Sequence, residues 1–471
     1  MSERLFRLFC PVTIVASCLF ALCTVIFRPS YFSNSDDLAT LLFLQVLLAA
    51  IWNYRTRFFP LLLAAFLWAG VVLPLNVYWT TGRWIVLAVG ALAGLVVYSR
   101  DQRYSFTTFH LVAFFCVVAA LVSAAVSAYP ALAFLKAASV LLLFLYGSTG
   151  ARMAVTAKFF SQLLLGCELL VYITAIFYFI LRSEIFGNPN SLGAVMGVAV
   201  APVLLWGILV SGRPSTRWRR TFAFTLTLLL LFSSYARAGI CGAVVSCILL
   251  CLALRRYGVL LRGIGIALAA AAFVAAVVPL HQQSSDSLTS AFVYKGRRDD
   301  GILASRQPIW DETVSAIQER PWLGSGFGTS LTSMEIVQRP ESFESLRETT
   351  REHGNSYLAI TEWVGFAGDV PFFALVISTA LNVWRALVQM RRSGNVLSPA
   401  IPLAGVLAAG LVHAAFEDWL FAPGYYLCIF FWTLAFIMVD VLPARACSTV
   451  PAAQAASGAW TVRLNTATPG R

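Results

Sequence analysis

Long apolar stretches separated by short polar links run along nearly the whole chain. Most of them reach the roughly 18–20 residues that a helix needs to cross the core of a bilayer. They predict spans near 8–26, 38–53, 59–79, 84–99, 106–128, 131–147, 160–181, 190–210, 221–235, 238–254, 263–280, 356–384, 398–415 and 422–441. The expected fold is an all-α, polytopic membrane bundle of about 12–14 transmembrane helices, because a helix satisfies its own backbone polar groups inside lipid. The stretches 84–99 and 221–235 are short enough to be re-entrant or deeply buried. No internal repeat is visible.

One link breaks the pattern. Residues 281–355 form a polar segment far longer than the usual connection. Inside it, "SRQPIWDETVSAIQERPWLGSGFG" predicts a short amphipathic helix, a proline stop and a glycine-rich turn. The segment ends in "REHGNSYLAITEWVGFAGDV", which passes from charged to apolar within a few residues. Asn355 or Ser356 can cap the helix that starts there, with the positive end of its dipole facing the loop.

Composition supports the membrane reading: 59% of the 471 residues are hydrophobic and 12% are charged. Soluble domains carry about 25% charge. The mean hydropathy is +0.78. The net charge of +12 would suit a nucleic-acid partner, but its distribution argues against one. Arg4 and Arg7, Arg55 and Arg57, Arg100 and Arg103, Arg152 and Lys158, then "GRPSTRWRR", "RRYGVLLR" and "WRALVQMRR", all fall in alternate links. The intervening links hold little more than Arg28, Arg83, Arg182 and Arg237. This is a positive-inside bias, which puts both termini in the cytoplasm and the long loop outside. That loop is itself basic, but long translocated segments are exempt from the rule.

The ten cysteines lie almost entirely in apolar runs and show no metal or redox spacing, although Cys247 and Cys251 share a helix face. The start "MSERLFRLFCPVTIVASCLFALCTVIF" resembles a signal peptide, but its apolar run continues past Cys18 and reads as an uncleaved span. The tail after Pro443, rich in Ala, Ser and Thr, is expected to be disordered. The chain divides into N-terminal helices (1–184), a second membrane region with the large loop (185–442) and the tail (443–471).

Three polar residues gather at the outer boundary. Arg237 joins two apolar helices, where a charge is costly unless paired or functional. Arg306 opens the loop helix and His353 closes the loop. A guanidinium fork suits phosphate oxygens, so two arginines and a histidine without a metal-ligand cluster point to an anionic substrate handled without a divalent ion. Each also has a plainer reading: an interfacial anchor, a solvated loop charge, and a helix cap. Lys136 falls well inside a span and faces either a substrate or an internal partner. His413, Glu417 and Asp418 lie close together, lining the same cavity or bonding one another. Glu362 can pair with one of the arginines. Asn188 and Asn190 are helix caps in the first instance, and Trp310 and Trp322 could stack on a sugar ring.

The motifs together resemble the O-antigen ligase and O-antigen polymerase superfamily of bacterial envelope proteins. The resemblance rests on "SSYARAG" at a helix junction, "RQPIWDETVSAIQERPWLGSGFG", and "HGNSYLAITEWVGFAG", with "IFGNPNSLGAV" earlier. It covers roughly residues 185–440 and maps the family pattern onto Arg306, Trp310, Pro321, Gly324, Gly326, His353, Asn355, Glu362, Gly365 and Gly368. This chain departs from the pattern in having Gly354 between His353 and Asn355, and Tyr-Ala-Arg-Ala-Gly at the junction.

The resemblance implies an architecture like that of the polyprenyl-phosphate-dependent (GT-C-like) membrane glycosyltransferases. It implies metal-independent, inverting glycosyl transfer at the periplasmic face of the inner membrane, with no cofactor. The donor would be a glycan on undecaprenyl diphosphate and the acceptor a glycan or lipid A-core hydroxyl. Arg237 and Arg306 would stabilise the leaving diphosphate, while His353 would take or orient the acceptor proton. Lys136, Asn355, Glu362, Trp310 and His413 are the expected substrate-binding residues. A protein O-oligosaccharyltransferase with the same donor, or a transporter of envelope components, are the alternatives.

Overall fold

The computed structural model describes residues 106–153, 159–180, 189–263, 306–330 and 351–442, with a few residues between 84 and 95 and residue 265. The expected spans at 8–26, 38–53 and 59–79, most of 84–99 and 263–280, Asn188 and the tail after Pro443 lie outside the described residues.

Among the described residues the chain is helical, without strands. In chain order the helices are α1 (Thr108–Ala125), α2 (Pro130–Ser148), α3 (Phe159–Ala175) and α4 (Pro189–Ala194). A π-helical stretch (Val195–Val200) joins α4 to α5 (Ala201–Val210), followed by α6 (Pro214–Ser233) and α7 (Arg237–Ala253). Then come α8 (Gln307–Glu319), α9 (Ser356–Ser393), α10 (Ala400–Ala414) and α11 (Tyr426–Val441). Among the described residues, five helical stretches are long and apolar enough to cross a membrane, and α7, α10 and α11 are shorter apolar helices. The protein is a multi-pass helix bundle. Of residues 221–235, expected as a short element, 221–233 belong to a 20-residue helix because the polar "PSTRWRR" also winds into α6.

Successive helices alternate in direction. At one end Ser127 meets Thr329, Lys136 meets Gly328, and Tyr426 donates to the Ser191 carbonyl at 3.1 Å. At the other, Trp206 donates to the Val396 carbonyl at 3.0 Å, and Arg152 clasps Asp440 at 2.6 and 2.5 Å. There too Glu168 receives Arg219 at 2.8 Å and Arg220 at 3.1 Å. The basic links 213–220, 255–262 and 385–392 all fall at this second end, and the 306–330 and 351–355 segments at the first. Small residues let α7 approach the α4–α5 rod closely: a Cβ on Gly197 would meet the Gly239 carbonyl oxygen at 2.2 Å. That contact fixes the start of α7, where Arg237 stands.

The longest helix among the described residues, α9, has 38 residues and is capped as its sequence predicts. The Asn355 side chain accepts from the amides of Tyr357 (2.9 Å) and Leu358 (3.3 Å). At about 1.5 Å per residue α9 outruns a bilayer core, so the expected span 356–384 continues to Ser393 through Arg385, Arg391 and Arg392.

The helix is broken at Gly365, whose φ is 65° and ψ 175°. The break frees the carbonyls of Glu362 and Trp363 and the amides of Phe366 and Ala367. The "PWLGSG" turn supplies a partner for each. Ser325 and Gly326 donate to the two carbonyls at 2.9 and 3.1 Å, and the carbonyls of Pro321 and Trp322 accept from the two amides at 2.7 and 3.2 Å. The two segments therefore need a close backbone approach, and a Cβ on Gly365 would meet the Trp322 carbonyl carbon at 2.4 Å. This clasp locks the 321–326 turn to the helix that carries Glu362.

Candidate active site

His353 lies at the centre of the site and is 1% exposed. Its backbone amide donates to Asp418 Oδ2 at 2.9 Å, and its Nδ1 lies 3.3 Å from the same oxygen. On the other side, Nε2 lies 3.1 Å from Glu362 Oε2 and 3.1 Å from Ser330 Oγ. The ring stands edge-on to Trp363, with centroids 5.4 Å apart. Three separate elements thus hold one imidazole: the 325–330 turn, the first part of α9, and the link between α10 and α11. Burial alone would lower the histidine's pKa. The hydrogen bonds and charges of Asp418 and Glu362 outweigh it and raise the value. Asp418 responds in the opposite sense, since the bonds from His353 overcome its burial and hold the carboxyl below its ordinary value.

Arg306 stands at the N-cap of α8 and bridges to two carboxylates, Glu352 at 3.2 Å and Glu417. Burial raises the pKa of Glu417 against the opposing pull of Arg306. The guanidinium lies over Gly354, where a Cβ would meet its Nη1 at 2.6 Å. Gly354 also has φ 60°, which explains why glycine intervenes between His353 and Asn355. Trp310, one turn into α8, donates to the Gly354 carbonyl at 3.3 Å. It thereby braces the same turn.

Arg351 pairs with Glu312 at 2.7 Å, with Glu362, and with Thr313 Oγ1 at 3.3 Å. Glu362 is shared between Arg351 and His353, so it does pair with an arginine, although not with Arg306 or Arg237. A continuous polar chain results: Arg351, Glu362, His353, Asp418, then the neighbouring Glu417 and Arg306.

A cleft of about 600 Å³ opens beside this chain. Lys136, Arg351, Glu352, Glu417 and Asp418 line it, together with the rings of Trp363, Trp419, Tyr425 and Tyr426. Carboxylates and aromatic faces of this kind suit sugar hydroxyls and the apolar faces of sugar rings, while the two cations suit an anion. His353, Arg306 and Arg237 are not among the residues that line it.

The other expected residues take distinct places. Lys136 lines the cleft and donates to the Gly328 carbonyl, so it has both an internal partner and a cleft position. His413 also lines it, with Nδ1 accepting from Trp419 Nε1 at 2.8 Å. Arg237, at the first residue of α7, is close enough for its charge to feel that of Arg306. Asn355 caps α9. Trp322 is 71% exposed and is absent from the cleft lining. Among the described residues, no group of three or more His, Cys, Asp or Glu is arranged to hold a metal ion.

Arg351 and Asp418 were the residues least visible in the sequence. The signal for Arg351 was its spacing: in an extended segment, residues two apart face the same side, so Arg351 and His353 both reach Glu362. In the sequence Asp418 stands out only as a neighbour of His413, because its contact with His353 joins positions 65 apart in the chain.

Residues 222–373 match the family model described as O-antigen ligase. No curated protein matches the chain. The matched segment is about a third of the chain and contains Arg237, Arg306, Arg351, His353 and Glu362, and over it the chain is similar to the O-antigen ligase family.

Proposed function

We propose that the protein is a surface-polysaccharide polymerase or ligase that transfers a glycan from undecaprenyl diphosphate to a glycan hydroxyl. The reaction is metal-independent and inverting, and it takes place at the periplasmic face of the bacterial inner membrane. The observation that carries this reading is the His353 imidazole held between Asp418 and Glu362 beside a cleft lined by cations, carboxylates and aromatic rings. The concentration of arginines at the far end of the bundle supports placing the cleft on the outer face.

In this reading the acceptor oxygen attacks the anomeric carbon. The bond from that carbon to the diphosphate breaks, and its electron pair passes to the phosphate oxygen. Arginines stabilise the growing charge, a preorganised contribution of about 3 kcal/mol for each well-placed donor. Arg306 and Arg237 supply it from the family positions. The proton of the acceptor hydroxyl passes to the Asp418 carboxylate, which faces the cleft. His353, behind Asp418, orients that carboxylate and shares the proton's charge with Glu362. The lipid tail stays in the bilayer.

Loss of surface glycan in Arg306→Ala and His353→Ala strains tests the proposal, and unchanged glycan in both overturns it. Gel analysis of the envelope glycans after deletion separates the two activities. Single units still attached indicate a polymerase, while lipid-linked chains with bare core indicate a ligase.

A further inference from the structure

The two arginines that flank His353 are held in the same way. Arg306 gives Nη2 to Glu417 and Nη1 to Glu352, carboxylates whose side chains are 17% and 62% exposed. Arg351 gives Nη2 to Glu362 and Nη1 to Glu312, which are 0% and 49% exposed. Each guanidinium therefore has one fixed anionic partner and one loose one. An exposed ion pair is weak and easily exchanged. A phosphate oxygen accepts from the same guanidinium nitrogens with more charge and without a side chain to immobilise.

Their positions differ. Arg351 lines the cleft itself, whereas Arg306 lies behind Glu352 and Glu417, which do line it. Moving Glu352 aside uncovers Nη1 of Arg306 to the cleft and leaves Glu417 holding Nη2.

Resting on the functional reading above, we propose that Arg351 contacts the donor's diphosphate directly. Glu352 occupies the phosphate's place on Arg306 until the donor arrives. Arg351 lies outside the family pattern, which supplies Arg306. The two arginines approach one diphosphate from either side of His353, and Glu362 and Glu417 keep both guanidinium planes in position. A purely structural Arg351 would do no more than hold Glu362 against His353, and the two roles have different signatures. A phosphate contact shows in donor affinity, and a strut for Glu362 shows in the pH dependence of turnover.

The test uses the purified full chain in lipid nanodiscs with undecaprenyl diphosphate as the probe, and the lipid-linked glycan as donor for turnover. Arg351→Gln is expected to weaken binding about tenfold or more, as the loss of a charged hydrogen bond does, whatever the loss of its contact with Glu362 does to the pH profile of kcat. Glu352→Gln, an exposed change that does not threaten folding, is expected to tighten binding about threefold by removing the competing carboxylate. Wild-type binding with both variants unchanged overturns the inference and leaves the function standing. So does an Arg351→Gln protein whose pH profile moves while its affinity does not. If the wild type binds no undecaprenyl diphosphate, the functional reading falls and this inference with it.

Discussion

Asp418 grips His353 twice, accepting from its backbone amide at 2.9 Å and lying 3.3 Å from its Nδ1 with the same oxygen. Replacing the carboxylate by an amide of equal size keeps an acceptor for the backbone but removes the charge. Asp418→Asn is therefore expected to fold and to lose about 10²-fold or more in glycan transfer, the scale of a positioned acid–base group. Rates near wild type at equal protein level would remove Asp418 from the mechanism.

The same contacts make stability depend on pH from both sides. His353 in the fold holds its proton above its ordinary value of 6.5. Its contribution is complete below that value and is lost as pH rises through the raised folded one. Asp418 lies below its ordinary 3.8, so its contribution is complete above that value and is lost as pH falls through the lowered one. Melting of wild type and His353→Gln across this range gives the check. The gap between them should narrow on the alkaline side, and a gap independent of pH contradicts the assignment.

Gly365 sits at φ 65° with the backbone of Trp322 against it. Gly365→Ala is both strained and blocked, so it is expected to cost more than about 1 kcal/mol and to lower the Tm. Because Glu362 sits three residues before the break, transfer activity should fall with it. Retained melting and activity would show that the clasp tolerates a side chain.

At the far end, Arg152 holds Asp440 through two nitrogens at 2.6 and 2.5 Å. Arg152 is buried, so Arg152→Ala is expected to cost about 3 kcal/mol of stability. The site lies at the other end of the bundle, and activity per folded molecule should not change. A fall in specific activity would reveal coupling between the two ends.

Much of this was legible in the sequence because it is local. Asn355 as a cap, the short helix α8 and the proline stop and glycine turn after it follow from neighbouring residues alone. The direction of successive helices follows from where the arginines fall. The partners of His353 were less legible, since Asp418 and Ser330 come from separate elements. Glu362 can pair with one of the arginines on sequence grounds, and the structure makes that arginine Arg351, two residues before His353. The break in α9 was hidden for a related reason: an apolar run containing Gly365 reads as continuous helix, and only the inserted turn makes the break affordable.

That inserted turn sets an order on biogenesis. Without the turn, the Glu362 carbonyl and the amides of Phe366 and Ala367 would lose their partners, while the Trp363 carbonyl would keep only the Ser123 hydroxyl, and an unmet main-chain group in hydrocarbon costs several kcal/mol. Their partners at Pro321, Trp322, Ser325 and Gly326 precede α9 in the chain, so the ribosome has already delivered them when the broken helix emerges. Completion of the first part of α9 is thus tied to the segment before it, and a chain whose preceding segment ends up at the opposite end of the bundle cannot complete this helix.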